Sequence, residues 1–124
     1  MKTSALCLAM LLALLCLPAH AHEVETGAIM VCDTEQQAER YAQVFDGNQQ
    51  GAISVVNAEA NNPTACAVVE VAFVAGPAFE VARGKEHAFA VVPIVVVGFK
   101  APNGIQRLEP TLVFTLVKLR EFAV

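Results

Sequence analysis

Residues Met1 to Ala21 read as a cleavable export signal, and this feature limits what the chain can fold into more than any other. Lys2 gives the positive start, Ala5 to Leu17 an apolar run broken by Cys7 and Cys16, and Ala19-His20-Ala21 the small residues a signal peptidase recognises. The run falls short of the roughly 20 apolar residues that span a bilayer. Leu14-Leu15 ahead of Cys16 lacks the small residue of a lipobox, so lipidation is not expected. The mature chain is then His22 to Val124, expected to be one small domain folded in an oxidising compartment, periplasm or medium. A domain of that size has a modest core and gains from a covalent staple.

Cleavage leaves two of the four cysteines, Cys32 and Cys66. Two thiols in a small exported domain form one disulfide. By chain entropy, closing the intervening loop stabilises the fold by at most roughly 3.5–4 kcal/mol. No Cys-x-x-Cys is present to depress a thiol pKa, which speaks against a redox pair.

Charge excludes one class of partner. From His22 to Glu70 eight acids face Arg40 alone, whereas six bases face four acids from Val71 to Val124. A chain that is negative overall is a poor nucleic-acid binder, because that affinity comes from neutralising phosphates. The basic second half can still present a small positive face, or simply charge the strand edges against edge-to-edge pairing.

Periodicity orders the elements. Gly27 to Cys32 reads as a strand. Thr34 with Gln37 has capping-box spacing, and Ala38, Tyr41, Ala42 and Phe45 recur at i, i+3, i+4 and i+7, so a helix with one apolar face follows. Asp46-Gly47 ends it, with Gly47 suited to the left-handed C′ position. Asn48 can cap a second helix over 49–58, facing Ile53 and Val56 inward, although Gly51 weakens it. Asn61-Asn62-Pro63 is a loop, and Val-rich strands then follow over 67–75, 79–83, 89–100, 105–108 and 111–122. Pro93 should bend its strand or sit beside an edge, and Pro110 should break the last two apart. Pro102-Asn103-Gly104 signals a hairpin turn. The twelve apolar residues from Ala88 to Phe99 are too few for a span. The expected fold is α+β: an N-terminal strand and helical segment packed on a curved antiparallel sheet or small open barrel.

Catalytic material is scarce. Ser54 is the single mature serine and has no Gly-x-Ser-x-Gly context. The mature histidines are His22 and His87, and His87, after Glu86 at a turn, reads as exposed. Glu70 and Glu80 are the carboxylates best placed for paired acid–base work, since they lie in apolar strands. Period-2 alternation equally points each of them outward. No Gly-rich run precedes a helix to cradle a phosphate.

The sharpest chemistry lies at the new amino terminus. Cleavage after Ala21 puts His22 first, where amine and imidazole chelate one metal together and His87 supplies a third nitrogen, a planar set that Cu(II) favours. Cleavage after Ala19 instead leaves a histidine in third place, which suits copper or nickel. This start resembles that of CopC-like copper-binding proteins, over His22 and His87 alone. The helical segment over 33–45 and the absence of a methionine cluster depart from that family. Over its whole length the chain resembles short bacterial exported proteins with one disulfide, a likeness that has no diagnostic motif and implies no activity.

The leading expectation is therefore an exported, non-enzymatic domain without cofactor that binds a protein or envelope component. The Phe99–Arg107 hairpin is the natural contact, through Lys100, Asn103 and Arg107. A copper or nickel carrier is the alternative.

Overall fold

The structure, a computed structural model, describes residues 23–119. The expected export signal over residues 1–21, His22 and residues 120–124, including the expected end of the last strand at Phe122, lie outside the described residues. The elements run β1 (Glu25–Cys32), α1 (Glu35–Val44), α2 (Gln49–Ala60), β2 (Cys66–Ala75), β3 (Glu80–Arg83), β4 (Ala88–Ala101) and β5 (Gly104–Lys118). The fold is α+β, as expected: two helices on a curved, fully antiparallel five-stranded sheet.

Local chemistry explains both helices. Thr34 Oγ1 accepts from the Gln37 N–H and Gln37 Oε1 from the Thr34 N–H, which completes the capping box of α1. The helix stops at Phe45, whose backbone is extended, and Gly47 takes φ 102° one residue beyond the C′ position expected of it. Asn48 caps α2 through the Gly51 N–H, and α2 runs two residues past the expected end to a left-handed Asn61. Gly51 costs little there, since it lies in the first turn, where Asn48 supplies the missing acceptor.

The sheet closes on itself. β1 pairs β2, β2 pairs β4, β4 pairs β5, and β5 returns to β1 through one pair, Cys32 with Phe114. Thr115 Oγ1, buried, donates to the Met30 carbonyl at 2.7 Å across that seam. The strands thus form a hydrogen-bonded ring with a thin seam, and β3 is appended to the outer end of β4.

Two cores follow from this curvature. One lies between the helices and the sheet, built from Met30, Ala38, Tyr41, Ala42, Ile53, Val56, Phe89 and Val91. The other fills the inner face of the curl, with Val31, Val71, Ala90, Val92, Ile94, Val96 and Val113. β4 serves both cores, odd residues to one and even residues to the other, which is why it reads as a continuous apolar run.

Pro93 sits beside a break in pairing, as expected, whereas Pro110 departs from expectation. Pro93 lies within β4, which is paired along its length with β5. On its other side β4 meets β3 up to Val91 and β2 from Ile94 onward. The Pro93 carbonyl accepts from Gly76 N at 2.8 Å, so its nitrogen faces the gap between those two strands, where no ladder donor is required. Pro110 does not break the chain into two strands. The register runs from Val96↔Thr111 to Gly98↔Arg107, so Leu108, Glu109 and Pro110 bulge opposite Val97 within one strand.

Cys32 and Cys66 form a disulfide between directly opposed residues of β1 and β2, with Cα atoms 4.1 Å apart. Asp33 N donates to Ala65 O next door, so the cysteines occupy a non-hydrogen-bonded pair, where opposed side chains stand closest. Both cysteines are fully buried, and the bridge clamps the two ends of the helical excursion. Asn57 of α2 supports it from the far side. Its Oδ1 accepts from Cys66 N at 2.8 Å, and its Nδ2 donates to the carbonyls of Cys66 (3.0 Å) and Pro63 (2.8 Å). One side-chain amide thereby stands in for a neighbouring strand.

Candidate functional site

The β4–β5 hairpin is the most exposed element of the sheet. All nine residues from Gly104 to Leu112 are exposed although each belongs to a strand. Pro102 has a fixed φ at the turn, and Gly104 takes φ 118°, a conformation that side chains rarely adopt. Lys100 pairs with Ile105 and Gly98 with Arg107, so Lys100 and Arg107 share one face of the hairpin, with Ile105 between them. Asn103 sits at the tip. All three expected contact residues are exposed and brought together on this arm. Ile105, Leu108 and Leu112 add exposed apolar surface.

A cleft of about 410 Å³ lies beside the tip. It is lined by Thr26 to Ala28 of β1, Glu70 and Val71 of β2, and Lys100 to Pro102 with Gly104 and Ile105 of the hairpin. Lys100 Nζ stands 3.7 Å from Glu70 Oε2, with both side chains more than half exposed, so this ion pair adds little stability and remains open to exchange.

Glu70 and Glu80 are not brought together as a working pair. Glu70 faces Lys100, whereas Glu80 reaches α1 and joins Glu35 and Glu39, their carboxylate oxygens lying within 4.8 Å of one another. Glu39 is held above the ordinary glutamate range, first by a hydrogen bond shared with Glu80, then by burial and by repulsion from the Glu80 charge, while a hydrogen bond with Glu35 opposes the rise. Sharing a proton is the chemistry open to this cluster. Sequence reasoning selected Glu80 but missed Glu39, because the pairing joins α1 to β3 across 41 residues. The i, i+4 spacing of Glu35 and Glu39 was the one available signal.

His87 lies between β3 and β4, half-buried rather than exposed. The Phe45 ring stands 5.2 Å from its own, edge-on, and Phe89 lies 6.4 Å away. His22, its proposed fellow ligand, lies outside the described residues. Ser54 is exposed on α2. Arg40 of α1 grips Glu59 of α2 through Nε (2.9 Å) and Nη2 (2.8 Å), and this hydrogen bonding lowers the Glu59 carboxyl below its usual range. Asn57 was also missed, since nothing in the sequence separates a strand-mimicking asparagine from an exposed one.

No protein family, curated protein or solved structure matches the chain. Among the described residues, no helix is long and apolar enough to cross a membrane.

Proposed function

We propose that this protein is an exported, non-enzymatic binding domain whose contact surface is the β4–β5 hairpin with its adjoining cleft, and whose partner is a protein or an envelope component. One observation carries the reading: a paired strand that leaves nine consecutive residues exposed, with Lys100 and Arg107 on one face. Such an arm adds little to either core, and loops and edges held by a rigid scaffold are where recognition concentrates. The buried Cys32–Cys66 bridge is compatible with export. The separate engagements of Glu70 and Glu80, and the exposure of Ser54, support a role other than catalysis.

The test is capture of envelope components by the disulfide-bonded protein, compared with a Lys100→Ala/Arg107→Ala variant. Both side chains are exposed, so the thermal midpoint should be unchanged while capture falls. Equal capture by the two proteins, or substrate turnover that tracks Glu70 or Glu80, would remove the proposal.

A further inference from the structure

The helices cover only part of the sheet's outer face. Odd residues of β4 point to that side up to Val95, and the helices bury the rows of Phe89 and Val91. Beyond them the same face carries Pro93 opposite Phe114, then Val95 between Val74 of β2 and Leu112 of β5. Past the bulge, Val71 points into the inner core, so its neighbour Ala72 and the opposed Gly98 and Arg107 lie on the outer face. Ile105 leans over Gly98, where an added Cβ would meet its Cγ2 at 2.9 Å. At the opposite end the Phe79 ring stands 6.1 Å from that of Phe114. Phe79 is 49 % exposed, Ile105 51 % and Leu112 56 %, so an apolar stripe runs along the sheet outside both cores. From the Val91 row to the Lys100 row it is about 30 Å long, and three strands make it about 15 Å wide. That footprint, roughly 400 Å², is the size at which an exposed patch marks an interaction site.

Charge is divided between the two ends of the stripe. Glu80, opposite Val91, gathers Glu35 and Glu39 of α1 at one end, and none of the three has an ion-pair partner among the described residues. Arg107 stands at the other end, also without one, since Glu70 engages Lys100 instead. Counted along β4 from the Leu112–Val95 row, the Glu80 row is about 13 Å away and the Arg107 row about 10 Å in the opposite direction.

We infer that a second copy of this protein packs face to face on the stripe about a two-fold axis at Leu112, with Arg107 of each copy against the Glu80 carboxylate cluster of the other. Opposite charges at matching distances from one row are what a two-fold contact requires, because each copy then meets its complement twice. A uniformly charged surface, such as an anionic membrane, would attract Arg107 but be repelled by the three carboxylates. The footprint is about half the roughly 800 Å² per partner of a standard interface, so the dimer is weak and reversible. This goes beyond the binding reading above and does not depend on it. Asn103 at the hairpin tip and the β1 wall of the cleft stay outside the contact, and Ile105 and Arg107 are common to both surfaces.

The test is sedimentation of the disulfide-bonded protein from about 10 μM to about 1 mM. It should pass reversibly from monomer to dimer within that range. Leu112→Asp, exposed and meeting its own copy at the axis, should weaken the dimer about tenfold or more. Arg107→Glu and Glu80→Lys should each weaken it about tenfold, and the two together should restore it to within about threefold of the native protein. That rescue separates a lost contact from a folding defect. A native protein monomeric throughout, a dimer indifferent to Leu112→Asp, or a double variant no tighter than the weaker single one overturns the inference. A monomeric native protein whose Leu112→Asp variant loses capture of envelope components would assign the stripe to that partner, overturning self-association while the binding reading stands.

Discussion

Replacing Asn57 by alanine removes the amide that stands in for a strand beside Cys66. Three hydrogen bonds are lost, to Cys66 N, Cys66 O and Pro63 O. Pro63 is exposed, so its carbonyl returns to water at little cost. Cys66 is fully buried, and its N–H and C=O lose their partners where water reaches poorly. A buried group left unsatisfied costs about 1–3 kcal/mol, and the space vacated by the amide admits some water, which argues for the lower part of that range at each group. The expected loss for Asn57→Ala is about 2–3 kcal/mol. In urea this is a fall in the unfolding midpoint of roughly 1–2 M with an unchanged slope. Asn57→Asp separates hydrogen bonding from packing. Its carboxylate can still accept from Cys66 N, but the second oxygen then faces two carbonyls where Nδ2 had donated. Only the protonated acid can donate there, so the folded pKa of this Asp is raised. Its favourable contribution is complete below the unfolded value of about 3.9 and is lost as pH rises through the folded one. The Asp variant should therefore be weaker than Ala at neutral pH and recover in acid. A loss below about 0.5 kcal/mol for Asn57→Ala, or an Asp variant that tracks Ala at every pH, would refute the strand-mimic role.

Two further perturbations probe the frame. Cys32→Ala/Cys66→Ala should cost about 3–4 kcal/mol from loop closure across a separation of 34 residues, read as a fall in the thermal or urea midpoint that reduction of the native protein reproduces. An unchanged midpoint would place the stability of this end in the helices alone. For Glu80→Gln, the raised Glu39 value sets the sign. The shared proton contributes stability in full below the ordinary value of 4.5, and that contribution is lost as pH rises through the raised folded value. The introduced side-chain amide would donate to ionised Glu39 without needing a proton, so the variant should lose that downward slope and become the more stable protein at neutral pH. Identical pH–stability profiles for the two proteins would show that Glu39 and Glu80 do not share a proton.

What the sequence disclosed and what it withheld divide along a physical line. The capping box of Thr34 and Gln37, the Asn48 cap, the turn at 102–104 and the Cys32–Cys66 bridge are all decided by neighbours in sequence or by compartment, so they were legible. Pro110 was misjudged because a proline's tolerance depends on what lies across the sheet. Pro93 faces the gap between β3 and β2, and Pro110 is absorbed in a bulge, neither of which a single strand reveals. The Glu39–Glu80 pairing and the half-burial of His87 against Phe45 follow from α1 packing on the β3–β4 end, a tertiary fact. The hairpin residues Lys100, Asn103 and Arg107 were legible as an exposed turn.

The devices that stabilise this protein are unevenly distributed, and the distribution bears on function. The disulfide, the Asn57 amide, the Thr115–Met30 bond across the seam and the Arg40–Glu59 link between helices all stand at the end of the sheet where β1 finishes and β2 begins. The hairpin beyond Gly98 has a turn, an exposed ion pair and its own ladder, and no counterpart to these. An arm so built opens at lower free energy than the clamped end, and segments that must accommodate a partner are drawn from that low-stability end. β2 is continuous with both regions: Cys66 is locked by the bridge and Asn57 at one end, whereas Glu70 meets the hairpin through Lys100 a few residues along.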